Sequence, residues 1–342
     1  MNSRFNTVEL EEYGDEKTSI LQIIGTKGKK MKLYFATDVH GSEICWKKFI
    51  SAAKFYEVDL LILGGDMTGK AIVPIIAQGG DKYKVTLLEQ ESILEGQEAV
   101  DKMVATIQNR GYYPYVTNPD EVAEIANTPG KSDALFLDMV LATLNRWMDY
   151  ADNKLAGTGI PCYVCPGNDD VFEIDPAIAA SKSVRSVEGQ VIQLDEHHEM
   201  ISSGWSNPTP WDTHREEPDD ALLQRIEAVI AKAKNPSNAV FNLHAPPYGS
   251  GLDEAPELTK DMRPAYAGRS LVPVGSKSVL AVIEKYQPIL GLHGHIHEGK
   301  GTRKYKKTLC INPGSMYEQG VLHGAVVELK PNKVGNYVLT TG

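Results

Sequence analysis

Three of the nine histidines, His293, His295 and His297, fall within the stretch Gly291-Leu-His-Gly-His-Ile-His-Glu298. They follow Pro288, Ile289, Leu290 and Leu292, a run that reads as a buried strand. In an extended backbone, residues two apart point the same way, with side chains roughly 6–7 Å apart. His295 and His297 are therefore predicted to face one site and reach different atoms in it. That spacing suits two metal ions roughly 3.5–4 Å apart better than one ion, which takes ligands converging from several strands. Taken alone, the stretch reads more simply as a hydrogen-bonded histidine cluster at a strand end. A metal site requires further ligands from elsewhere in the chain.

Four other apolar runs end in the same kind of chemistry. Met31–Ala36 leads into Thr37-Asp-Val-His-Gly41, and Val58–Leu63 into Gly64-Gly-Asp66. Pro161–Cys165 leads into Pro166-Gly-Asn-Asp-Asp170, and Ala239–Leu243 into His244. In α/β sheets, ligands gather outside the carboxyl ends of strands. Any one of these residues is an ordinary turn former or cap. Together Asp38 and His40, Asp66, Asn168, His244, and His295 and His297 form a constellation at successive strand ends.

The elements that must position these residues are legible to different degrees. A helix from Ser42 to about Tyr56, capped by Ser42 with Trp46, Phe49, Ile50 and Ala53 inward, makes the first two strands a βαβ unit. Residues 1–30 read as an N-terminal extension, in which Thr18–Ile24 pairs as a hairpin with Met31–Ala36. Residues 70–159 read as a helical insertion within a single domain covering residues 1–342. That insertion is expected to hold a small hairpin about Gly79-Gly80, a helix through Val100, Met103, Val104 and Ile107, and a loop at Tyr112–Tyr115. A long helix capped by Ser132 ends it. Val184–Leu194 is expected to form two strands turning at Glu188-Gly189. Helices are predicted from Pro218 and Ser276, separated by the His244 strand and a long Gly/Pro-rich loop. Thr308–Ile311, His323–Leu329 and Lys333–Thr340 are predicted to close the chain as strands.

Bulk properties narrow the partners. At 42% hydrophobic residues the chain has material for a large core, and its net charge of −10 offers no basic field for polyanions. A nucleic-acid partner bound through phosphate neutralisation is therefore not expected. No apolar run reaches the ~18–20 residues that span a bilayer, and no secretory segment is visible, so the expectation is a cytoplasmic protein without a membrane partner. The four cysteines do not make a disulfide scaffold. Cys162 and Cys165 form a C-x-x-C, but residues three apart in a strand face opposite sides, which predicts two packed thiols.

The order Asp38-x-His40, Gly65-Asp66, Gly167-Asn168-x-Asp170, His244 and Gly294-His-x-His297 resembles the calcineurin-like metallophosphoesterase superfamily. The ordered match covers residues 31–312, and Asn312-Pro-Gly-Ser315 after it is similar too, with Ser315 expected to shape the sheet end. The resemblance implies a four-layer α/β/β/α sandwich of two mixed sheets, the metallophosphoesterase fold, holding two divalent ions. Mn2+ suits the site first, with Fe2+, Zn2+ or Mg2+ as alternatives. On this resemblance Asp38, His40 and His297 hold one ion, Asn168, His244 and His295 the other, and Asp66 bridges both. A hydroxide bridging the ions would attack phosphorus in line.

The implied activity is hydrolysis of a small, nucleotide-like phosphodiester. A nuclease of the same superfamily and a non-catalytic scaffold are the alternatives. Many members carry a histidine after the motif's asparagine, where this chain has Asp169; the form without it occurs in smaller bacterial phosphodiesterases, the branch this chain looks closer to. Asp169, Asp170 and His293 are expected to stand behind the ligands and hydrogen-bond them. Expected substrate contacts are Asn168, with Arg263 and Arg269 from the long loop after His244 offering bidentate contacts to phosphate oxygen. His214 and Arg215 lie in another loop that could reach substrate. Gly64-Gly-Asp-Met-Thr-Gly-Lys-Ala71 nearly matches a phosphate-binding P-loop, but it lacks the final Ser/Thr and puts Asp66 inside the cradle. It is read as a metal-ligand turn.

Overall fold

The central strands of the two main sheets are short and apolar because they are covered on both faces, and the helices between them are amphipathic segments. The computed structural model describes residues 30–342, so the predicted Thr18–Ile24 strand lies outside the described residues. The chain opens with β1 (Met31–Ala36), α1 (Glu43–Phe55) and β2 (Leu60–Leu63). Ser42 caps α1 as predicted, its hydroxyl accepting from the Cys45 amide. Next come β3 (Ile72–Gly79), β4 (Lys82–Leu87), β5 (Gln90–Glu95), α2 (Gln97–Asn109), β6 (Tyr113–Thr117), α3 (Pro119–Asn127) and α4 (Lys131–Leu155). The middle of the chain forms β7 (Cys162–Val164), α5 (Asp175–Ala179), β8 (Val184–Ser186), β9 (Val191–Gln193), β10 (Glu199–Ser203) and α6 (Asp219–Ile230). It closes with β11 (Val240–Leu243), β12 (Glu254–Pro256), β13 (Leu271–Pro273), α7 (Lys277–Tyr286), β14 (Leu290–Leu292), β15 (Gly301–Tyr305), β16 (Thr308–Asn312), β17 (His323–Lys330) and β18 (Lys333–Thr341).

Among the described residues, two six-stranded sheets carry the fold, in the orders β18-β17-β1-β2-β7-β8 and β15-β16-β14-β11-β10-β9. Each has a parallel core, β1-β2-β7-β8 in one and β10-β11-β14-β16 in the other, with antiparallel strands added outside. Side-chain alternation sorts the layers. Leu33, Phe35, Leu60 and Ile62 meet Met200, Val240, Leu290 and Leu292 between the sheets. Their neighbours Tyr34, Ala36, Leu61 and Leu63 turn outward under Trp46 of α1 and Trp147 of α4. On the other side Phe241 and Leu243 pack against Ile226 of α6 and Val282 of α7. The result is the four-layer α/β/β/α sandwich of two mixed sheets. Each fully buried Leu, Ile or Phe contributes about 1.5–3 kcal/mol. Cys162 and Cys165 are buried thiols in different layers, as strand parity predicts. No helix among the described residues is long and apolar enough to cross a membrane.

The insertion is mainly helical, in α2, α3 and α4, and it also carries a four-stranded sheet, β5-β4-β3-β6, with Val73, Ile75, Val85, Val100 and Ile107 as its own small core. Three local expectations need correction. Tyr112–Tyr115, expected as a loop, contributes most of β6, parallel to β3. Pro114 is tolerated because β6 is an edge strand, where one N–H need not join the ladder. The helix expected to be capped by Ser132 starts at Lys131 after Gly130, whose φ of 76° reverses the chain. Finally, β8 and β9 are no hairpin. They belong to different sheets, and Glu188-Gly189 is the crossover, because each pairs instead with a core strand, β7 or β10.

Candidate metal centre

The loops leaving β1, β2, β7, β11 and β14 meet at the carboxyl ends of both parallel cores, and each brings a polar side chain inward. The backbone there is unusual. Asp38, His40, Asp66 and His295 all have positive φ, at 53°, 37°, 48° and 68°. Such conformations cost about 1–3 kcal/mol each in non-glycine residues and persist only where the surroundings hold them. Two backbone bonds do so, Asp38 N to Gly65 O and His40 N to Asp66 O, both 3.0 Å. The loop after β14 presses against the loop after β1. A Cβ on Gly294 would lie 2.4 Å from Asp38 Oδ2, and the His295 amide donates to Asp38 Oδ1 at 3.0 Å.

Two triads that share no residue result, Asp38, His40 and His297 in one and Asp66, His244 and His295 in the other, each with its atoms within 4.8 Å of one another; His40 and Asp66 also group with Asp169. Asp66 Oδ2 lies 3.6 Å from His40 Nε2 and 3.3 Å from His244 Nε2, so this carboxylate stands between the triads. His40 Nε2 and His297 Nε2 are 3.0 Å apart, and His297 Nε2 is 3.5 Å from Asp38 Oδ1. Asn168 Oδ1 meets His244 Nε2 at 3.1 Å and His295 Nδ1 at 2.7 Å. Carboxylate, imidazole and amide-oxygen donors converging at this range fit divalent ions such as Mn2+, Fe2+ or Zn2+.

The route by which His295 and His297 arrive differs from the extended-strand expectation. β14 ends at Leu292, and the left-handed turn at His295 sends Nδ1 of that ring and Nε2 of His297 to different triads. The stretch therefore serves two clusters because its backbone turns, not because it runs straight.

Electrostatics favours ligation. Burial opposes ionisation of Asp38, yet its contact with His297 holds it down to about 2. Burial likewise opposes Asp66, which the adjacent His244 holds well below the usual carboxylate range. Burial lowers His40 to about 3 and His295 to about 4, leaving both rings neutral as ligands must be. His244 and His297 differ: burial pulls both down, but the Asp66 carboxylate raises His244 to about 9 and the contact with Asp38 raises His297.

Behind the ligands, Asp170 accepts from the Met67, Thr68 and Gly167 amides and the Thr68 hydroxyl, tying the loops after β2 and β7 together. His293 Nδ1 faces the Leu243 and Ala245 carbonyls at 2.8 and 3.1 Å, steadying the backbone on either side of His244. The Asp169 amide donates to Asp66 Oδ1 at 3.1 Å, and its carboxylate lies 3.7 Å from His40 Nδ1 and 2.9 Å from Lys70 Nζ. Ser315 donates to the Asp38 carbonyl at 2.6 Å. Arg215, expected to reach substrate or solvent, is buried: it donates to the Asp170 carbonyl and to Asp175, and lies over the Phe172 ring. His214, Arg263 and Arg269 are exposed, and no hydrogen bond or ion pair links their side chains to these ligands among the described residues.

Sequence reasoning missed three contributors. Thr213 accepts from Asn168 Nδ2 at 2.8 Å, which turns the amide oxygen toward His244 and His295. Tyr317 packs its ring on His40 and His297, with centroids 4.8 and 5.8 Å away. Neither carries a motif that could have pointed to it. Lys70 was visible only within the rejected P-loop match. A cavity of about 450 Å³ opens beside His297, lined by Lys300, Ser315, Met316, Tyr317, Glu318 and His323.

No family model matches the chain. An uncharacterized protein of Methanocaldococcus jannaschii is 29% identical over 150 residues, 43% of this chain; the match spans 61% of that relative's length. One crystal structure superposes over 91% of this chain and 99% of its own, with 16% identity and a TM-score of 0.52. The crystal structure of TT1561 of Thermus thermophilus covers 92% of this chain and 99% of its own, with 13% identity and a TM-score of 0.49. Yfce, a phosphoesterase from E. coli, covers 90% and 98% with 10% identity and a TM-score of 0.28. The first of these structures supports the fold and nothing finer; the other two superpose too loosely to carry an argument.

Proposed function

We propose that this chain is a metal-dependent phosphoesterase of the calcineurin-like kind, hydrolysing a small, nucleotide-like phosphodiester. One observation carries the reading: two Asp/His triads from four strand-end loops meet around Asp66, with Asn168 from a fifth closing the second. Asp38, His40 and His297 would hold one divalent ion and Asn168, His244 and His295 the other, with Asp66 shared. Bound there, such ions supply Lewis-acid polarisation of a phosphate ester and a nucleophile at neutral pH. The protein's part is positioning. Thr213 sets the Asn168 amide, Asp170 locks two ligand loops together, and His293 steadies the backbone around His244. The cavity beside His297, about 450 Å³, is of a size for the organic part of a small ester. The net charge of −10 favours a small substrate over a polynucleotide.

The test is hydrolysis by Mn2+-loaded protein of bis(p-nitrophenyl) phosphate, p-nitrophenyl phosphate, cyclic nucleotides and plasmid DNA. Turnover of diesters that requires the metal is expected. No hydrolysis of any of these with Mn2+, Fe2+, Zn2+ or Mg2+ would overturn the reading, and preferential DNA cleavage would replace it with a nuclease.

A further inference from the structure

We propose that Lys70 is a phosphate-binding residue, its ammonium presented at the rim of the Asp/His cluster by Asp169 and donating to a non-bridging oxygen of the bound ester. The ester as ligand rests on the proposed function; the placement of the ammonium does not. Gly69 and Lys70 lead into strand β3, not into a helix, so the lysine belongs to no nucleotide-binding P-loop. Its backbone is pinned on the side nearest the site. The Met67 and Thr68 amides donate to Asp170, the Gly69 amide donates to Tyr113 Oη at 2.8 Å, and a Cβ on Gly69 would lie 2.2 Å from Gly111 O.

From this fixed start the side chain runs to the site. Lys70 Nζ lies 2.9 Å from Asp169 Oδ2, and that same oxygen is 3.7 Å from His40 Nδ1. A single carboxylate thus separates the ammonium from the first triad. The Lys70 side chain is 50% exposed, so an incoming ligand can reach it. The ammonium end of the pair is open to water, which limits what the pair adds to stability, while its carboxylate partner is only 18% exposed. Around it the same loops carry Asp169, partly exposed, with Asp38, Asp66 and Asp170 buried beneath. An ester anion approaching here meets Lys70 as a point-charge donor, the role in which lysine binds phosphate. Lys70 transfers no proton and forms no covalent bond; it orients and neutralises.

The test uses the full chain loaded with Mn2+, with inorganic phosphate titrated by calorimetry and metal content measured in parallel. Lys70→Gln is expected to weaken phosphate binding about tenfold or more and Lys70→Arg to restore most of it, as one charge-assisted hydrogen bond requires. Metal content should stay at the wild-type level in both. In diester hydrolysis the Gln variant should raise KM more than it lowers kcat. Phosphate affinity of Lys70→Gln within twofold of wild type would overturn the proposal, as would equal loss in the Gln and Arg variants together with loss of metal. Failure of the two readings is distinguishable. A wild-type protein that binds phosphate through Lys70 but hydrolyses no ester sinks only the proposed function. One that hydrolyses diesters with Lys70→Gln unchanged sinks only the role of Lys70.

Discussion

Asp66 stands between the two triads, one of its oxygens lying 3.6 Å from His40 and 3.3 Å from His244. Asp66→Asn keeps the shape and removes the charge between the triads. Metal content measured by mass spectrometry should fall, and diester hydrolysis should drop at least about 100-fold, the scale of losing one preorganised electrostatic contact. Unchanged turnover would remove Asp66 from the site. Asp170 plays a different part. It is fully buried and satisfies three backbone amides and a hydroxyl. Asp170→Ala leaves those donors without an acceptor at about 1–3 kcal/mol each, so urea unfolding should show a loss of about 3 kcal/mol or more. A loss under about 1 kcal/mol would mean that water enters and replaces the carboxylate.

At the scale of elements, the insertion between β2 and β7 buttresses the site and is not a detached ornament. The turn between α2 and β6 places Gly111 against the His40 loop: its φ is 84°, and a Cβ there would lie 2.2 Å from His40 O and 2.9 Å from the Tyr317 ring. Gly130, ahead of α4, has a similar φ of 76° with nothing within 4 Å of its Cβ position. Gly130→Ala should therefore cost only the about 1–2 kcal/mol of a left-handed conformation. Gly111→Ala adds a backbone clash and should cost clearly more, while also weakening Mn2+ binding. Equal costs for the two variants, with equal Mn2+ affinity, would refute the buttressing role.

For the whole molecule, the proposed metal site predicts linkage between metal and stability. The ligand loops come from both sheets, so an ion held by Asp38 and His297, or by Asp66 and His244, ties strands of one sheet to strands of the other. An ion at 100 times its Kd adds about 2.7 kcal/mol to the folded state. Thermal scans with saturating Mn2+ should show a Tm several degrees above that of the chelated protein, and Asp66→Asn should lose most of the difference. A Tm indifferent to metal in the wild type would mean that the triads do not bind it.

What the sequence determined by itself was the order of the strand ends and the chemistry placed on them. The continuous apolar runs Leu33–Ala36 and Leu60–Leu63 identify buried strands, and capping at Ser42 and Ser276 starts two helices where the structure has them. These are local properties, set by runs of apolar side chains and by which donors a nearby hydroxyl can satisfy. Tertiary structure decided what local rules cannot reach. The chain's neighbours in space assign β8 and β9 to different sheets and make an edge strand of Tyr113–Thr117, because pairing partners far along the chain outweigh turn propensity. The left-handed turns at Asp38, His40, Asp66 and His295 are disfavoured for those residues in isolation and exist only because facing loops hold them. Thr213 and Lys70 join the site on the same terms, through contacts to Asn168 and Asp169 that span 45 and 99 positions of sequence.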